Sequence, residues 1–227
     1  MNSEHPSAGL STRHLIPADD ERQPRRPTGA APGAVHPLTV RALHWINAGA
    51  MLVMIGSGLA IQNAEPILPF AVPERLTIGG DLIGALQWHL AVMWVIGING
   101  ILYLLFGLVT GRFRRKLLPI SPRGVLRDVK AALTGRLGHD DLSVYNQVQR
   151  LLYAGVILIG ILAGLSGLAL WKPVQFAPLL MLLGDFDTAR IVHFVCMASI
   201  LGFTLVHVAM ALLVPRSIKL MTLGGSR

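Results

Sequence analysis

Four stretches of the sequence contain no Asp, Glu, Lys or Arg, and three of them carry four histidines between them. The stretches are residues 42–64, 82–111, 151–171 and 191–215, and the histidines are His44, His89, His193 and His207. An ionisable side chain inside so apolar a segment is costly, and it therefore predicts a functional site. Neutral imidazole is also the commonest metal ligand in proteins. The chemistry that these residues could perform together is metal binding.

The elements that carry the histidines are predicted to be membrane-spanning helices. The chain has 227 residues, is 52% hydrophobic and only 14% charged, and has a mean hydropathy of +0.56. Such a composition lies outside the usual range of soluble domains. Each uncharged stretch can cross about 30 Å of hydrocarbon at about 1.5 Å per residue. The sequence predicts an all-α membrane protein, a four-transmembrane-helix bundle with helices over about residues 39–61, 81–109, 145–171 and 187–214.

The basic residues are divided unequally between the connections. Of the 20 Lys and Arg residues, only Arg75, Lys172 and Arg190 fall in the first and third connections, which also hold five acidic residues. This positive-inside pattern predicts that both termini and the 112–150 connection lie in the cytoplasm. The formal charge of +8 then faces lipid headgroups, and no nucleic acid is predicted as a partner.

The segments outside the bundle are predicted to be accessory. Residues 1–38 are rich in Pro, Ala, Gly and charge, which predicts a disordered cytoplasmic tail with no cleaved signal. Residues 216–227 are a short cytoplasmic C-terminal tail. Ser121 and Pro122, followed by apolar residues at helical spacing, predict a short helix on the membrane surface. The apolar, proline-interrupted residues 172–187 are expected at the outer interface.

The predicted topology sorts the four histidines by depth. The first helix begins inside and the second outside, so His44 is near the inner surface and His89 near the outer one. The fourth helix begins outside, which places His193 at the outer level and His207 at the inner level. The two residues are 14 positions apart, which corresponds to about 21 Å and about 40° short of four turns, so both project from one face. We name His89 and His193 the outer pair, and His44 and His207 the inner pair.

Two imidazoles at one depth on facing helices suit the axial positions of a haem iron. Bis-histidine ligation fills both axial positions, which favours electron transfer over activation of a bound substrate. The pattern predicts two non-covalent haem b groups, one per pair, and no catalytic residue. Three arginines at helix ends could pair with haem propionates or serve only as interface anchors. They are Arg41, Arg150 and Arg190.

Two other interpretations of the histidines stay open at this point. A lone histidine in a transmembrane helix is often a polar link between helices. Zinc or copper binding, as in a metal-ion transporter, is the other rival. Metal sites of that kind usually add Cys, Asp or Glu ligands. The uncharged stretches offer only Cys196, which is itself expected to be a small packing residue in a helix interface.

The sequence around the histidines resembles a known family. That family comprises the four-helix di-haem cytochrome b subunits of membrane-bound nickel-iron hydrogenases and formate dehydrogenases, grouped with bacterial cytochrome b(561). The resemblance covers about residues 36–215. It rests on RALHWINA around His44, QWHL around His89, and ARIVHF followed by LVH around His193 and His207. It implies haem ligation by the same inner and outer pairs.

A second motif, YNQVQR at residues 145–150, looks like the YNxxQ element of that family, which lies beside the inner haem and the quinone site. The resemblance implies that Asn146 and Gln149 hydrogen-bond a quinone carbonyl, with Tyr145 nearby. The alternative is that Asn146 and Gln149 only cap and solvate the start of a helix.

The sequence predicts no soluble domain of useful size, so any external chemistry requires a partner protein. The resemblance implies a periplasmic redox enzyme of the hydrogenase, formate dehydrogenase or molybdopterin oxidoreductase type, with the chain passing electrons between it and the quinone pool. A different hypothesis is a self-contained superoxide:quinone oxidoreductase.

Overall fold

The computed structural model describes residues 37–134 and 146–224. The tail predicted over residues 1–38 falls almost entirely outside these ranges, and so does Tyr145. Within the described ranges the regular structure is helical throughout, with a 3-10 turn at Glu74–Leu76. The helices are α1 (Leu38–Ala64), α2 (Leu82–Val109), α3 (Arg112–Lys116), α4 (Pro122–Leu133), α5 (Gln147–Trp171), α6 (Ala177–Leu183), α7 (Phe186–Leu213) and α8 (Pro215–Thr222).

Four of these helices, α1, α2, α5 and α7, are long and apolar enough to cross a membrane. They contain 27, 28, 25 and 28 residues, so each exceeds the roughly 20 residues that a bilayer core requires. The predicted all-α fold with four spanning helices is confirmed. Helix α1 continues to Ala64, three residues beyond its predicted end, and α5 begins at Gln147 because Asn146 serves as its N-cap.

Asx side chains cap the N-termini of α2, α5 and α7. In each case the side-chain oxygen accepts a hydrogen bond at 2.7 Å from the backbone N–H three residues later, which satisfies one of the unpaired donors of the first turn. The pairs are Asp81 with Gly84, Asn146 with Gln149, and Asp185 with Thr188. Hydrogen bonds from Thr188, the backbone N–H first, lower the pKa of the Asp185 carboxyl. These caps fix where the helices that carry His89 and His193 begin.

The spanning helices pack as two pairs. Among the described residues, extensive close contacts join α1 to α2, the first helix pair, and α5 to α7, the second helix pair, whereas the two pairs approach each other closely at few positions. The buried side chains are mostly small. They include Ala50, Ser57, Ala60, Ala85, Ser166, Ala169, Ala189 and Cys196. Large apolar side chains such as Leu52, Leu108 and Val109 face outward, as expected of a surface that lipid covers.

Segments at both ends of the bundle pack back onto α1. Helix α8 folds back onto the first turns of α1, where the Trp45 indole N–H donates to the Met221 carbonyl at 3.2 Å and Arg41 donates to the Thr222 carbonyl. At the other end, the connection after α1 returns to its own helix, because the Ile78 backbone N–H donates to the Gly56 carbonyl at 3.0 Å.

The predicted surface helix is α4, and it is tied to the start of α5. The Asp128 carboxylate accepts from the Gln147 backbone N–H at 2.7 Å, and the Gln147 side-chain oxygen accepts from the Ser121 backbone N–H at 3.0 Å. A side chain at Gly124 would collide with Gln147, so glycine permits this close approach. That α4 lies on the membrane surface stays a prediction.

Candidate functional site

The outer pair brings α2 and α7 together at one level. The ring centres of His89 and His193 are 6.2 Å apart and their planes are inclined by 74°. Both side chains are half-buried. The depth argument predicted that these two residues would meet, and the structure places them side by side.

The hydrogen bonds of His193 determine which ring nitrogen carries its proton. Its Nδ1 lies 3.0 Å from the Ala163 carbonyl oxygen and 3.1 Å from the Ser166 hydroxyl. A carbonyl can only accept, so Nδ1 must be the protonated nitrogen. In the neutral ring the lone pair is then on Nε2. This is the arrangement typical of metal-ligating histidines, whose second nitrogen donates to a carbonyl or hydroxyl and fixes the ring.

His89 is held in a similar way by α1. Its Nδ1 is 2.9 Å from the Ser57 hydroxyl oxygen, and that oxygen also lies 2.8 Å from the Val53 carbonyl. Ser57 can therefore donate to the carbonyl and accept from the protonated Nδ1 of His89, which again leaves the Nε2 lone pair free of the hydrogen bond. Ser57 and Ser166 are both fully buried, so water does not compete for either contact.

Glycines face both outer rings, and the contact is tight only at His193. A Cβ atom at Gly167 would lie 3.1 Å from the His193 Cε1 atom, closer than an ordinary contact, and one at Gly58 would lie 3.6 Å from the His89 Cε1 atom. Each of the four spanning helices thus contributes a residue to the outer site. Gly58 comes from α1, His89 from α2, Gly167 from α5 and His193 from α7.

The inner pair is held by aromatic rings. The ring centres of His44 and His207 are 6.1 Å apart, with planes inclined by 66°. Phe203 stacks on His207 at 5.7 Å and 11°, and Trp45 meets His44 edge-on at 5.3 Å. Within residues 37–134 and 146–224, no protein group hydrogen-bonds either inner ring. The inner pair therefore relies on packing for its orientation.

The three arginines predicted as propionate partners all contact neighbouring backbone. Arg41 donates to the Thr222 carbonyl. Arg150 donates to the carbonyls of Leu118 and Pro119, each at 3.3 Å. Arg190 donates to the Glu65 carbonyl at 3.1 Å. Arg190 also lies 3.7 Å from the Asp187 carboxylate. Each arginine thus ties its helix end to a neighbouring segment, and its role as an anchor at the membrane interface stays a prediction. Their role toward propionates stays a prediction.

The predicted quinone residues Asn146 and Gln149 form a capping box at the start of α5. The Asn146 side-chain oxygen accepts from the Gln149 backbone N–H at 2.7 Å, and the Gln149 side-chain oxygen accepts from the Asn146 backbone N–H at 3.1 Å. Both residues therefore cap the start of α5, as the alternative interpretation held. The capping box occupies the two amide oxygens and does not use the two NH₂ groups, so a quinone role stays a prediction.

The two histidine pairs fit haem iron better than a protein-ligated zinc or copper ion. Among the described residues, no group of three His, Cys, Asp or Glu side chains could hold a metal ion, whereas structural and catalytic zinc sites use three or four protein ligands. Two imidazoles that bind one metal at about 2 Å from opposite sides would have ring centres roughly 6 Å apart. The few close contacts between the two helix pairs also suit a flat group between them.

Sequence reasoning missed Ser57 and Ser166 as partners of the outer rings. The sequence does show a serine at the depth of the outer pair on each of the two helices without an outer histidine. That pattern is not specific, because serine in a spanning helix commonly hydrogen-bonds its own backbone, as both residues also do here.

Comparison with known proteins identifies the family of the chain. The family described as prokaryotic cytochrome b561 matches residues 35–224. A protein of Azospira oryzae named "Putative protein-methionine-sulfoxide reductase subunit YedZ1" is 46% identical over 191 residues, which cover 84% of this chain and 96% of that protein. The resemblance inferred from the histidine motifs is confirmed. The chain belongs to the prokaryotic cytochrome b561 family, and it is a multi-pass membrane protein of the haem b electron-transfer type.

Proposed function

We propose that this chain is the membrane subunit that carries electrons between a periplasmic redox partner and the quinone pool, across the bacterial inner membrane. Two haem b groups would be held without covalent bonds, one by the outer pair and one by the inner pair. The observation that carries the proposal is the meeting of two imidazole pairs at levels 14 residues apart along α7. When bound, haem b supplies one-electron transfer.

The chain's own contribution is to orient the ligands and to keep water away from the path between them. Ser57, Ser166 and the Ala163 carbonyl hold the outer rings, and Phe203 and Trp45 hold the inner ones. Between the two levels α7 presents Cys196 and Ile200, which are 4% and 6% exposed. Such an apolar interior lowers the local dielectric and shields both sites from solvent.

At the inner end, Asn146 and Gln149 would bind the quinone. A quinone carbonyl accepts hydrogen bonds, and the NH₂ groups of these side chains are donors that the capping box does not use. The box would then serve to hold the two amides in fixed orientations. Tyr145, the third residue that the resemblance implicates, lies outside the described residues.

The partner would bind at the end of the bundle where α1 ends and α7 begins. The connections at that end, residues 65–81 and 172–185, contain only a short helix and a 3-10 turn, so the reaction would take place on another protein. The name of the Azospira oryzae relative favours a reductase of oxidised methionine in proteins as the partner. A reductase consumes electrons, so they would flow from quinol at the inner pair to the outer pair and out to the partner.

Reconstitution in sealed vesicles tests the proposal. Quinol added to vesicles of the purified protein should reduce b-type haem, and an oxidant that cannot cross the membrane should reoxidise the fraction whose outer end it reaches. His207→Ala removes the inner ligand, so quinol should no longer reduce the remaining haem at the wild-type rate. Wild-type haem that quinol fails to reduce, or that only a membrane-permeant oxidant reoxidises, would refute transmembrane transfer.

A further inference from the structure

Gln62, at the outer end of α1, is a buried amide that uses only half of its hydrogen-bonding capacity. Its side chain is 4% exposed. The side-chain oxygen accepts from the Ile67 backbone N–H at 2.9 Å. The Nε2 atom is buried, and it has no hydrogen-bond partner among the residues that the structure describes.

The contact with Ile67 identifies the kind of partner that is missing. Because a backbone N–H can only donate, the atom that faces it must be the amide oxygen, and the orientation of the Gln62 amide is thereby assigned. The unfilled group is then an NH₂ donor, so its partner must be an acceptor. Buried donors in proteins are nearly always paired. An oxygen atom, and neither a cation nor an apolar group, is expected beside Nε2.

The position of Gln62 relates this donor to the outer pair. Gly58, exactly four residues earlier on α1, lies against the His89 ring. Residues four apart on a helix share a face and differ by about 6 Å in height. Gln62 therefore lies on the face of α1 that contacts His89, one turn nearer the membrane surface.

Arg190 occupies the matching position on α7. It precedes His193 by three residues, which places it about 4.5 Å nearer the surface on a similar face. Its guanidinium donates to the Glu65 carbonyl at 3.1 Å, within the same short segment that supplies the Ile67 N–H to Gln62. Gln62 and Arg190 thus both hydrogen-bond to one short segment, residues 65–67, at the outer end of the site.

We propose that the Gln62 amide donates a hydrogen bond to a propionate carboxylate of the haem held by the outer pair. This inference rests on the proposed function, since it requires that haem. The propionates are the only anionic oxygens of haem b, and they are expected to lie toward the polar surface of the membrane, where Gln62 and Arg190 are found. Gln62 is a binding residue in this account and has no part in ligating the iron.

Two substitutions separate donation by Nε2 from the contact of the oxygen with Ile67. Gln62→Glu keeps an acceptor for the Ile67 N–H but replaces the NH₂ donor with a second carboxylate oxygen, which is an acceptor. Gln62→Met keeps the length of the side chain and removes both functions. Asn63→Leu is the matched control, because the Asn63 side chain fastens the adjacent connection through two hydrogen bonds to Val72. It removes the hold on Val72 and keeps the Gln62 side chain with its donor and acceptor, so it controls for loosening of the connection itself.

The measurement is infrared redox-difference spectroscopy of the full-length protein that contains haem labelled with ¹³C at the propionate carboxyls. The carboxylate band of the outer haem should shift in both Gln62 variants and not in Asn63→Leu. Haem release from the outer site should also be about 10- to 100-fold faster in Gln62→Met, the range for one lost hydrogen bond to a charged group. If a Gln62 variant loses its outer haem before a spectrum can be recorded and Asn63→Leu keeps its own, that loss is the extreme case of faster release and supports the proposal.

Identical propionate bands and release rates in wild type and both Gln62 variants would overturn the inference, and would indicate that a bound water is the acceptor. That result would leave two haems per chain and the proposed function intact. A wild-type preparation without b-type haem would instead refute the proposed function itself, so the two failures are distinguishable.

Discussion

The outer and inner pairs have nearly the same ring separation, 6.2 and 6.1 Å, but are held by different forces. Both outer rings have Nδ1 at hydrogen-bond distance from a buried hydroxyl, and one also faces a carbonyl. The inner rings are flanked by Trp45 and Phe203. Hydrogen bonds are directional and fix a tautomer, whereas ring stacking fixes a plane without selecting a nitrogen. The outer site is therefore expected to be the more rigid of the two.

Replacing one histidine of a pair should produce the largest difference between the outer and inner sites. His89→Ala should eliminate the outer haem and retain the inner one, and His44→Ala should do the reverse, because bis-histidine ligation needs both rings. Haem content per chain should fall by half in each variant. If His89→Ala and His44→Ala lose the same haem in spectral titrations, the assignment of residues to levels is wrong.

Loss of the serine contacts should weaken only the outer site. Ser57→Ala or Ser166→Ala should lower the affinity for the outer haem by about 10- to 100-fold, the usual cost of losing a hydrogen bond behind a metal ligand. Haem titration of the apoprotein measures this effect. The matched control is Ser199→Ala, since Ser199 is exposed and its hydroxyl bonds only its own helix. An equal loss at the inner site would contradict the separate roles of the two levels.

Asn146→Asp should act at the inner end alone. Aspartate caps a helix as well as asparagine does, so α5 should keep its start, but the NH₂ donor is lost. Quinol-dependent haem reduction should slow by about tenfold, in keeping with one lost hydrogen bond. A variant that retains the wild-type rate would show that Asn146 is a capping residue only. Asn146→Ala, which loses the cap as well, provides the comparison for helix stability.

Phe203→Leu should produce a smaller effect, confined to the inner site. Loss of the stacked ring removes roughly 0.5–1.5 kcal/mol beyond simple burial, which corresponds to about twofold to tenfold weaker binding of the inner haem. Haem titration, with the inner and outer haems followed by separate spectral signals, measures the affinity of each site. A shift of the outer signal in Phe203→Leu would mean that the two levels are mechanically coupled.

The smallest expected effect is a difference in stability between alanine substitutions at two glycines of α5. Nothing lies within 4 Å of a Cβ atom built at Gly164, so Gly164→Ala should stabilise the helix by about 0.5–1 kcal/mol. At Gly167 the same methyl group would crowd the His193 ring at 3.1 Å, and the gain should be cancelled by displacement of that ring. Thermal unfolding and the spectrum of the outer haem provide the readouts. Equal stabilisation by both substitutions would show that His193 has room to move.

The spanning helices and the meeting of the histidines could be predicted from the sequence because both depend on regular geometry. Uncharged stretches define the helices, and fourteen residues on one helix define two levels on one face. The contacts of Arg41 and Trp45 could not be predicted in this way. They depend on α8 turning back at Val214 and Pro215, which is a tertiary feature. Gln62 was equally hidden, because its significance comes from burial and an unpaired donor, and neither is visible in a list of residues.

The most direct test of the account is haem stoichiometry and coordination in the purified wild-type protein. Pyridine haemochrome analysis against a protein assay should give two b-type haems per chain, and electron paramagnetic resonance of the oxidised protein should show two distinct six-coordinate low-spin ferric centres, as expected if two imidazoles ligate each iron. One haem per chain, or a high-spin centre with an open axial position, would contradict the claim that both histidine pairs clasp haem iron.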